Sequence, residues 1–251
     1  MDSYATVLQV YTAGLVFARV GAMVMLMPGV GETVVPQRIR LSFALLMSLL
    51  LAPLVYKSVG PMPASVGGLA GAVIHEVLIG LMIGAVLKLF VSSLTTAGEI
   101  ISIQTTLSFA QTANPAGAPS STAVATFLSM LGLVLIMVTD LHHLFIGAMV
   151  KSYDIFPFSR AVPVNDAATL AVRTVADSFK LGVQLSAPVL VFSIVFNLAT
   201  GLVGRVMPSF QIFFVTSPLS VILGLSLLGL SLGGIAMVWA DRYRDLLAVF
   251  N

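Results

Sequence analysis

Six long apolar runs follow one another along the chain, and only two of them contain a charged side chain. The runs are Gln9–Met27, Leu41–Tyr56, Leu69–Val91, Thr122–Thr139, Leu181–Gly204 and Val206–Ala240. A helix that crosses a bilayer needs about 20 consecutive apolar residues. The pattern therefore predicts an all-α protein with several membrane-crossing helices.

The lengths of these runs do not all suit a simple crossing. Leu41–Tyr56 is short and contains Pro53. Val206–Ala240 would be about 52 Å long as one straight helix. Because a proline removes a backbone hydrogen bond and clashes with the preceding turn, we expect Pro218 to divide this run into a half-helix and a full-length helix. The sequence thus predicts kinked, partly non-spanning helical hairpins.

The stretch between Ile100 and Thr139 carries no charged side chain, yet its first half is irregular in composition. That half, ISIQTTLSFAQTANPAGAPSST, is rich in Ser, Thr, Gly and Pro, which are residues that favour turns. It could be an ordinary external loop. It could also be a loop that enters the membrane region, where its backbone must face protein or a water-filled cavity. The absence of charge favours the second interpretation.

Composition agrees with a membrane protein of one domain covering residues 1–251. Hydrophobic side chains make up 58% of the chain and charged ones 9%, with a mean hydropathy of +1.06, whereas an average soluble domain is about 25% charged. The net charge of +2 offers no basic patch for nucleic acid. Cysteine is absent, which excludes disulfides and thiolate chemistry.

Basic residues do not give a clear topology. They occur on almost every connection between the apolar runs: Arg38, Arg40, Lys57, Lys151, Arg160, Arg242 and Arg244. The positive-inside rule relies on a one-sided distribution of Lys and Arg. The even distribution indicates that some runs form hairpins or lie away from the bilayer.

Glu76 is a carboxylate inside the third apolar run. Gly80 and Gly84 follow at steps of four and therefore share its helical face, which would allow a neighbouring helix to approach closely. The carboxylate could relay protons or bind an ion, or it could pair with a cation such as Arg19 in a helix interface. We favour the pairing.

Asp140, His142 and His143 form a polar cluster at the end of the fourth run. Such residues could hold a metal ion or pass a proton. Because no further ligand group has a suitable spacing, and polar groups are common where an apolar run ends, we expect neither a metal nor another cofactor.

Two further patterns have an alternative interpretation. Gly229–Gly233 matches the nucleophile elbow of hydrolases, but that motif requires a sharp strand-to-helix turn, and here it lies in a continuous apolar run. An intramembrane hydrolase that uses Ser231 is therefore disfavoured, and we expect no enzymatic activity.

Asn165–Lys180 has the pattern of an amphipathic helix that could lie on a membrane surface or against a partner. Its predicted apolar stripe is Ala168, Ala171, Val172, Val175 and Phe179.

Several motifs follow one another along nearly the whole chain, beginning with PGVGETVVPQRIR at 28–40. The others are EVLIGLMIG at 76–84, AGEIISIQTTLSFA at 97–110, Asn114–Pro115, TDLHHL at 139–144, Arg205, Pro208 and Pro218–Leu219. Together they resemble the FliR family of flagellar type III secretion, and the first motif is similar to a signature of that family. One departure is Ser209-Phe210-Gln211, where the family more often has Pro-Gln-Met-Asn.

The resemblance implies a subunit of an export gate. Family members assemble with FliP and FliQ into a helical pore in the bacterial inner membrane at the flagellar basal body, with FlhB and FlhA as neighbours. Unfolded flagellar proteins would be the cargo. For this chain the resemblance implies FliP-like, FliQ-like, FlhB-like and FlhA-like partners and a lipid membrane, with no nucleic acid.

The resemblance also implies a pore-closing loop at 107–121. The residues carried over as the plug are Leu107, Ser108, Phe109, Ala110, Gln111, Asn114 and Pro115. Phe109 would be the bulky element, and Asn114 and Pro115 would shape the turn. Arg19, Glu76, Gly80, Gly84 and Pro218 would serve helix packing and interfaces.

One alternative comes from a different class of protein. An ion-coupled secondary transporter could use Glu76, Asp140 and the two histidines, with broken helices near Asn114 and Pro218. No internal repeat is evident between the two halves of the sequence, which disfavours it.

Overall fold

In the computed structural model of the chain, the described residues are 6–32, 34–108, 121–158, 164–207 and 211–248. Within these ranges every regular element is helical. The helices are α1 (Val7–Leu26), α2 (Gln37–Val55), α3 (Val66–Gln104), α4 (Ala123–Val138), α5 (Leu141–Ile155), α6 (Val164–Val206) and α7 (Ile212–Ala248), with a 3-10 turn at Tyr56–Ser58. The predicted all-α fold is confirmed.

Five of the described helices are long and apolar enough to cross a membrane, or six if α4 and α5 together form one broken span. Three of them are longer than one crossing requires: α3 has 39 residues, α6 has 43 and α7 has 37. At 1.5 Å per residue each exceeds about 55 Å, whereas the hydrocarbon core of a bilayer is about 30 Å thick. The chain is an integral membrane protein, as predicted.

Pro218 does not interrupt its helix, so the predicted half-helix is wrong. α7 continues from Ile212 to Ala248 with Pro218 inside it. Pro218 is the seventh residue of the helix, and its ring removes one backbone hydrogen bond. A helix in an apolar environment keeps all its other backbone bonds because no water can replace them. The loss of one bond near its beginning is therefore not enough to end it.

α3 also extends further than the apolar pattern predicts. Residues 100–104 belong to this helix, although the sequence analysis assigns them to an irregular segment. Ile101 and Ser102 are fully buried. The strong turn residues begin only at Asn114, so nothing in this stretch opposes a helix.

The amphipathic segment and the fifth apolar run form one continuous helix, α6. The predicted apolar stripe is exposed in this chain, since Val172 is 69% and Phe179 61% accessible, whereas Thr174 and Ser178 are buried. That stripe is therefore available to lipid or to another protein. α5 was not predicted, because Lys151 and Asp154 interrupt its apolar pattern.

Contacts divide the chain into two compact units. Unit 1 comprises the described residues of Met1–Phe90, Asp140–Val175 and Arg244–Asn251; unit 2 comprises those of Val91–Thr139 and Ala176–Tyr243. The core of unit 1 includes Val16, Val20, Met23, Ile79 and Phe145, and that of unit 2 includes Leu94, Ile101, Leu128 and Trp239. The single membrane domain stays a prediction.

Candidate functional site

Arg19 and Glu76 form a buried ion pair in unit 1. The Nε atom of Arg19 donates to Oε2 of Glu76 at 2.7 Å, and Nη2 donates to Oε1 at 3.1 Å. Their side chains are 0% and 1% exposed. A guanidinium fits a carboxylate in this two-point geometry better than a lysine would. The pair joins α1 to α3 without leaving net charge in the interior.

The same arginine holds the end of α5. Nη1 of Arg19 donates to the carbonyl of Ser152 at 2.9 Å, and Nη2 donates to the carbonyl of Phe156 at 2.8 Å. The carbonyl of Ser152 also accepts the N–H of Phe156 at 2.9 Å, and the C-terminal end of a helix favours a nearby cation. The guanidinium carbon also lies 4.2 Å from the ring centre of Tyr153 and 5.4 Å from that of Phe158. Arg19 therefore connects three helices of unit 1.

Two glycines on the face of Glu76 allow α1 and α3 to approach this closely. A Cβ atom on Gly80 would collide with the backbone carbonyl of Arg19, and one on Gly84 would lie 2.9 Å from the Cβ of Leu26. Small residues at steps of four thus bring the two backbones together. The structure places Glu76, Gly80 and Gly84 in one helix contact.

His75 lies beside this pair, with Nδ1 at 3.0 Å from Oε1 of Glu76. A cavity of about 210 Å³ opens here, and its lining includes Tyr11, His75, Glu76 and Phe158. Both carboxylate oxygens of Glu76 already accept hydrogen bonds from Arg19. A carboxylate held in this way is suited to joining helices. This favours its pairing with Arg19 over a role in proton relay or ion binding.

A second polar cluster lies in unit 2, at the two ends of the segment 107–121. We call it the loop-base cluster, and its members are Glu99, Ser102, Gln104, Thr122, Ser193 and Ser220. On the C-terminal side of the segment, the N–H of Thr122 donates to Oε1 of Glu99 at 2.9 Å. Ser102 donates to the hydroxyl of Thr122 at 2.8 Å, and that hydroxyl accepts from the N–H of Ala125. Thr122 is thus the N-cap of α4.

The N-terminal side of the segment is held by α6 and α7. Ser193 donates to Oε1 of Gln104 at 2.6 Å, and the hydroxyl of Ser220 lies 3.5 Å from the backbone carbonyl of Gln104. Thr106 follows with a φ of 61°, which is unusual for a β-branched residue. Its hydroxyl lies 3.3 Å from that of Ser217.

The predicted plug residues are only partly within the described structure. Leu107 and Ser108 are half-buried in the turn that follows α3, and the N–H of Ser108 donates to the carbonyl of Ser102 at 3.2 Å. Phe109, Ala110, Gln111, Asn114 and Pro115 lie outside the described residues.

Known proteins resemble the chain over almost its whole length. The family described as "Bacterial export proteins, family 1" matches residues 10–246. The chain belongs to this family. Among its relatives are proteins named flagellar biosynthetic protein FliR. The FliR protein of Caulobacter vibrioides is 77% identical over 100% of both chains. That of Pectobacterium carotovorum is 31% identical over 86% of this chain and 82% of its own, and that of Escherichia coli K12 is 30% identical over 84% and 80%.

The resemblance to FliR proteins seen in the sequence motifs is therefore confirmed. This FliR-family chain is a flagellar biosynthetic protein of a bacterial export family, and it resides in a membrane.

In this FliR-family chain the polar group at the beginning of α5 is compact but exposed. We call Asp140, His142 and His143 the Asp140 cluster. One potential ligand atom from each lies within 4.8 Å of the others, and Asp140 has a left-handed φ of 57°. The side chains of Asp140 and His143 are 75% and 67% exposed, so water competes with any ion for them. The start of α5 also carries partial positive charge, which disfavours a cation.

Two other predicted positions have simple surroundings. Pro218 is exposed on α7. Ser231 lies in the middle of α7 and its hydroxyl donates to the carbonyl of Leu227 at 2.8 Å. A serine inside a helix lacks the strand-to-helix turn of a nucleophile elbow, which removes the basis of the hydrolase interpretation.

Sequence reasoning missed part of both clusters. It proposed Arg19 and Glu76 as partners but did not involve the carbonyls of α5, since backbone partners leave no sequence signal. It also passed over Glu99, which directly precedes the charge-free stretch and follows Gly98. A lone carboxylate after a glycine in an apolar helix was the available signal.

Proposed function

We propose that this chain is a non-enzymatic subunit of the flagellar type III export gate, in the inner membrane at the basal body. It forms part of a translocation pore with FliP-like and FliQ-like subunits, beside FlhB-like and FlhA-like proteins. Unfolded secreted flagellar proteins pass through this pore. Family membership and the number of membrane-length helices support the proposal.

The observation that carries the proposal is the distance between exposed apolar side chains on α6. Phe179 is exposed, and after the exposed Lys180 and Gln184 a second exposed apolar set extends from Val191 to Val206. Phe179 and Val206 are about 40 Å apart along the helix. A transmembrane helix tilts by about 20° on average, and at that tilt the two residues are still about 38 Å apart. The hydrocarbon core is only about 30 Å thick, so lipid cannot cover both of them, and a protein partner accounts for the remainder.

The segment 107–121 closes the pore in this proposal. A pore in an energised membrane must pass polypeptide and still block ions. The segment contains no charged side chain, so it can obstruct without attracting counter-ions. The described residues at its two ends lie beside the loop-base cluster.

The assembly is tested by co-expression with candidate FliP and FliQ partners and measurement of the mass of the detergent complex. We expect a hetero-oligomer that contains this chain. A chain that is stable alone or as a homo-oligomer under these conditions would contradict the gate proposal and agree with a transporter.

Closure is tested by deleting residues 111–120. We expect a higher ion leak through the assembled gate, at an unchanged amount of complex. Unchanged conductance in a correctly assembled mutant would remove the plug assignment.

A further inference from the structure

Both ends of the segment 107–121 are held by side chains from one helix. Glu99 and Gln104 lie five residues apart near the end of α3, and at 100° per residue they point in directions about 140° apart. Glu99 meets the beginning of α4, whereas Gln104 meets α6 and α7. A single rigid element therefore determines where the segment begins and where it ends.

At the C-terminal end the contact is charge-assisted. The carboxylate of Glu99 accepts the N–H of Thr122 at 2.9 Å, at the helix terminus where an anion is favoured. Thr122 is only 4% exposed, so water cannot easily replace the carboxylate. Gly98 permits the contact, because a Cβ atom there would collide with the backbone of Ala125.

At the N-terminal end the contact is a hydrogen bond between two uncharged groups, and the hydroxyl of Ser193 donates it. A serine hydroxyl donates a single hydrogen bond, and that of Ser193 lies 2.6 Å from Oε1 of Gln104 but 3.4 Å from its backbone carbonyl. The shorter contact is the hydrogen bond. Asn197 donates to the same hydroxyl at 3.3 Å, which orients the proton of Ser193 toward Gln104.

Thr106 is strained between these two contacts. Its φ of 61° is costly for a β-branched residue, and such conformations persist only where the surroundings impose them. Thr105 packs against α7 at Gly224, where a Cβ atom would collide with its side chain. If the hold on Gln104 is lost, the backbone at Thr106 is free to relax and the following residues move.

We infer that Glu99 and Gln104 are the positioning residues of the segment 107–121, an inference that rests on its proposed role in closing the pore. Gln104 fixes the beginning of the segment to α6 and α7. Glu99 fixes its end to α3. Neither residue has to contact the cargo.

The experiment measures position and leak in assembled complexes made by co-expression with the partner subunits. Since the chain has no cysteine, Leu107→Cys and Ser121→Cys introduce a spin-label pair whose separation is read by pulsed electron resonance. Leak is measured separately, as potassium flux from proteoliposomes whose complexes lack these two cysteines.

Gln104→Leu should broaden the distance distribution and raise the flux about fivefold, the population change that corresponds to one net hydrogen bond of about 1 kcal/mol. Glu99→Ala should raise it more, because its bond is charge-assisted. Glu99→Gln keeps an acceptor and should largely restore both readouts. Gln184→Leu is the matched control, since Gln184 is an exposed glutamine on α6.

The two proposals can fail separately. Unchanged distance distributions in both Gln104→Leu and Glu99→Ala would overturn the positioning inference, even if deletion of 111–120 causes leak. Broadened distributions without leak would support the positioning role and overturn the pore-closing role. Equal effects of Glu99→Gln and Glu99→Ala would mean that a hydrogen-bond acceptor at position 99 does not hold the segment. That result would also overturn the inference.

Discussion

The buried pair of Arg19 and Glu76 gives a prediction about stability that separates two kinds of loss. Arg19→Met removes the cation and leaves Glu76 in a site where it is 1% exposed. It also leaves the carbonyl of Phe156 without the Arg19 donor, whereas the carbonyl of Ser152 still accepts the N–H of Phe156. Glu76→Leu removes only the carboxylate, and Arg19 retains both carbonyls.

The expected magnitudes follow from these partners. Removing one member of a buried ion pair costs about 3–5 kcal/mol, and the loss of the donor to the partly buried carbonyl of Phe156 adds about 1 kcal/mol or more. Arg19→Met should therefore be the most destabilising change, at roughly 5 kcal/mol or more. Glu76→Leu should cost about 3 kcal/mol. The double variant leaves no buried charge and retains only the carbonyl penalty, so it should be more stable than Arg19→Met alone.

The assay is the temperature at which half of the tagged chain aggregates in detergent extracts, followed by immunoblot. With about 2–4 °C per kcal/mol for a chain of this size, Arg19→Met should lower it by roughly 10 °C or more. Adding Glu76→Leu should recover several degrees. Lys88→Met, which removes an exposed charge from the same helix, is the control and should have little effect. A double variant that is less stable than either single variant would refute the reasoning.

Three further predictions concern other positions. Gly80→Ala should lower the same aggregation temperature, because the new Cβ atom would collide with the carbonyl of Arg19 and overpacking costs about 1–3 kcal/mol. The control is Gly71→Ala on the same helix, whose Cβ atom would have no neighbour within 4 Å, and it should leave the temperature unchanged. Ser231→Ala should leave swimming motility unchanged, since this hydroxyl only bonds its own helix; a loss of motility at normal protein levels would revive the hydrolase interpretation. Removal of metal with EDTA or addition of zinc should leave the aggregation temperature unchanged. If either treatment shifted this temperature, and alanine substitutions in the Asp140 cluster abolished the shift, the expectation of no metal would be contradicted.

The sequence was informative wherever one local pattern decided the outcome. The apolar runs locate α1, α2 and α4 within a few residues, because a membrane helix must be both long and apolar. The steps of four from Glu76 to Gly84 identify a packing face, because residues at this spacing share one side of a helix. These inferences need no knowledge of the rest of the fold.

The sequence was less informative where residues distant along the chain determine whether a helix continues or which of its sides is buried. Pro218 carries a strong local signal to end a helix, but it removes one bond only, and the rest of α7 continues past it. The apolar stripe of Val172 and Phe179 was predicted to lie on a membrane surface or against a partner, and it is exposed, but the pattern gave no sign that the polar Thr174 and Ser178 are the residues buried on this helix. Which side of a helix is covered by its own chain depends on neighbours that the local pattern does not contain.

The two polar clusters place carboxylates inside an apolar fold by the same physical means. Glu76 is neutralised by Arg19 at 2.7 Å, and Glu99 meets the N–H of Thr122 at the beginning of α4, where the helix dipole supplies partial positive charge. An uncompensated charge in a low-dielectric interior is costly, and it draws in water or a counter-ion. In the closed pore that we propose, an uncompensated charge of this kind would attract ions and favour leakage. Local compensation removes that attraction while the hydrogen bonds still fix the helices, so the arrangement that stabilises the fold would also suit the proposed closed pore.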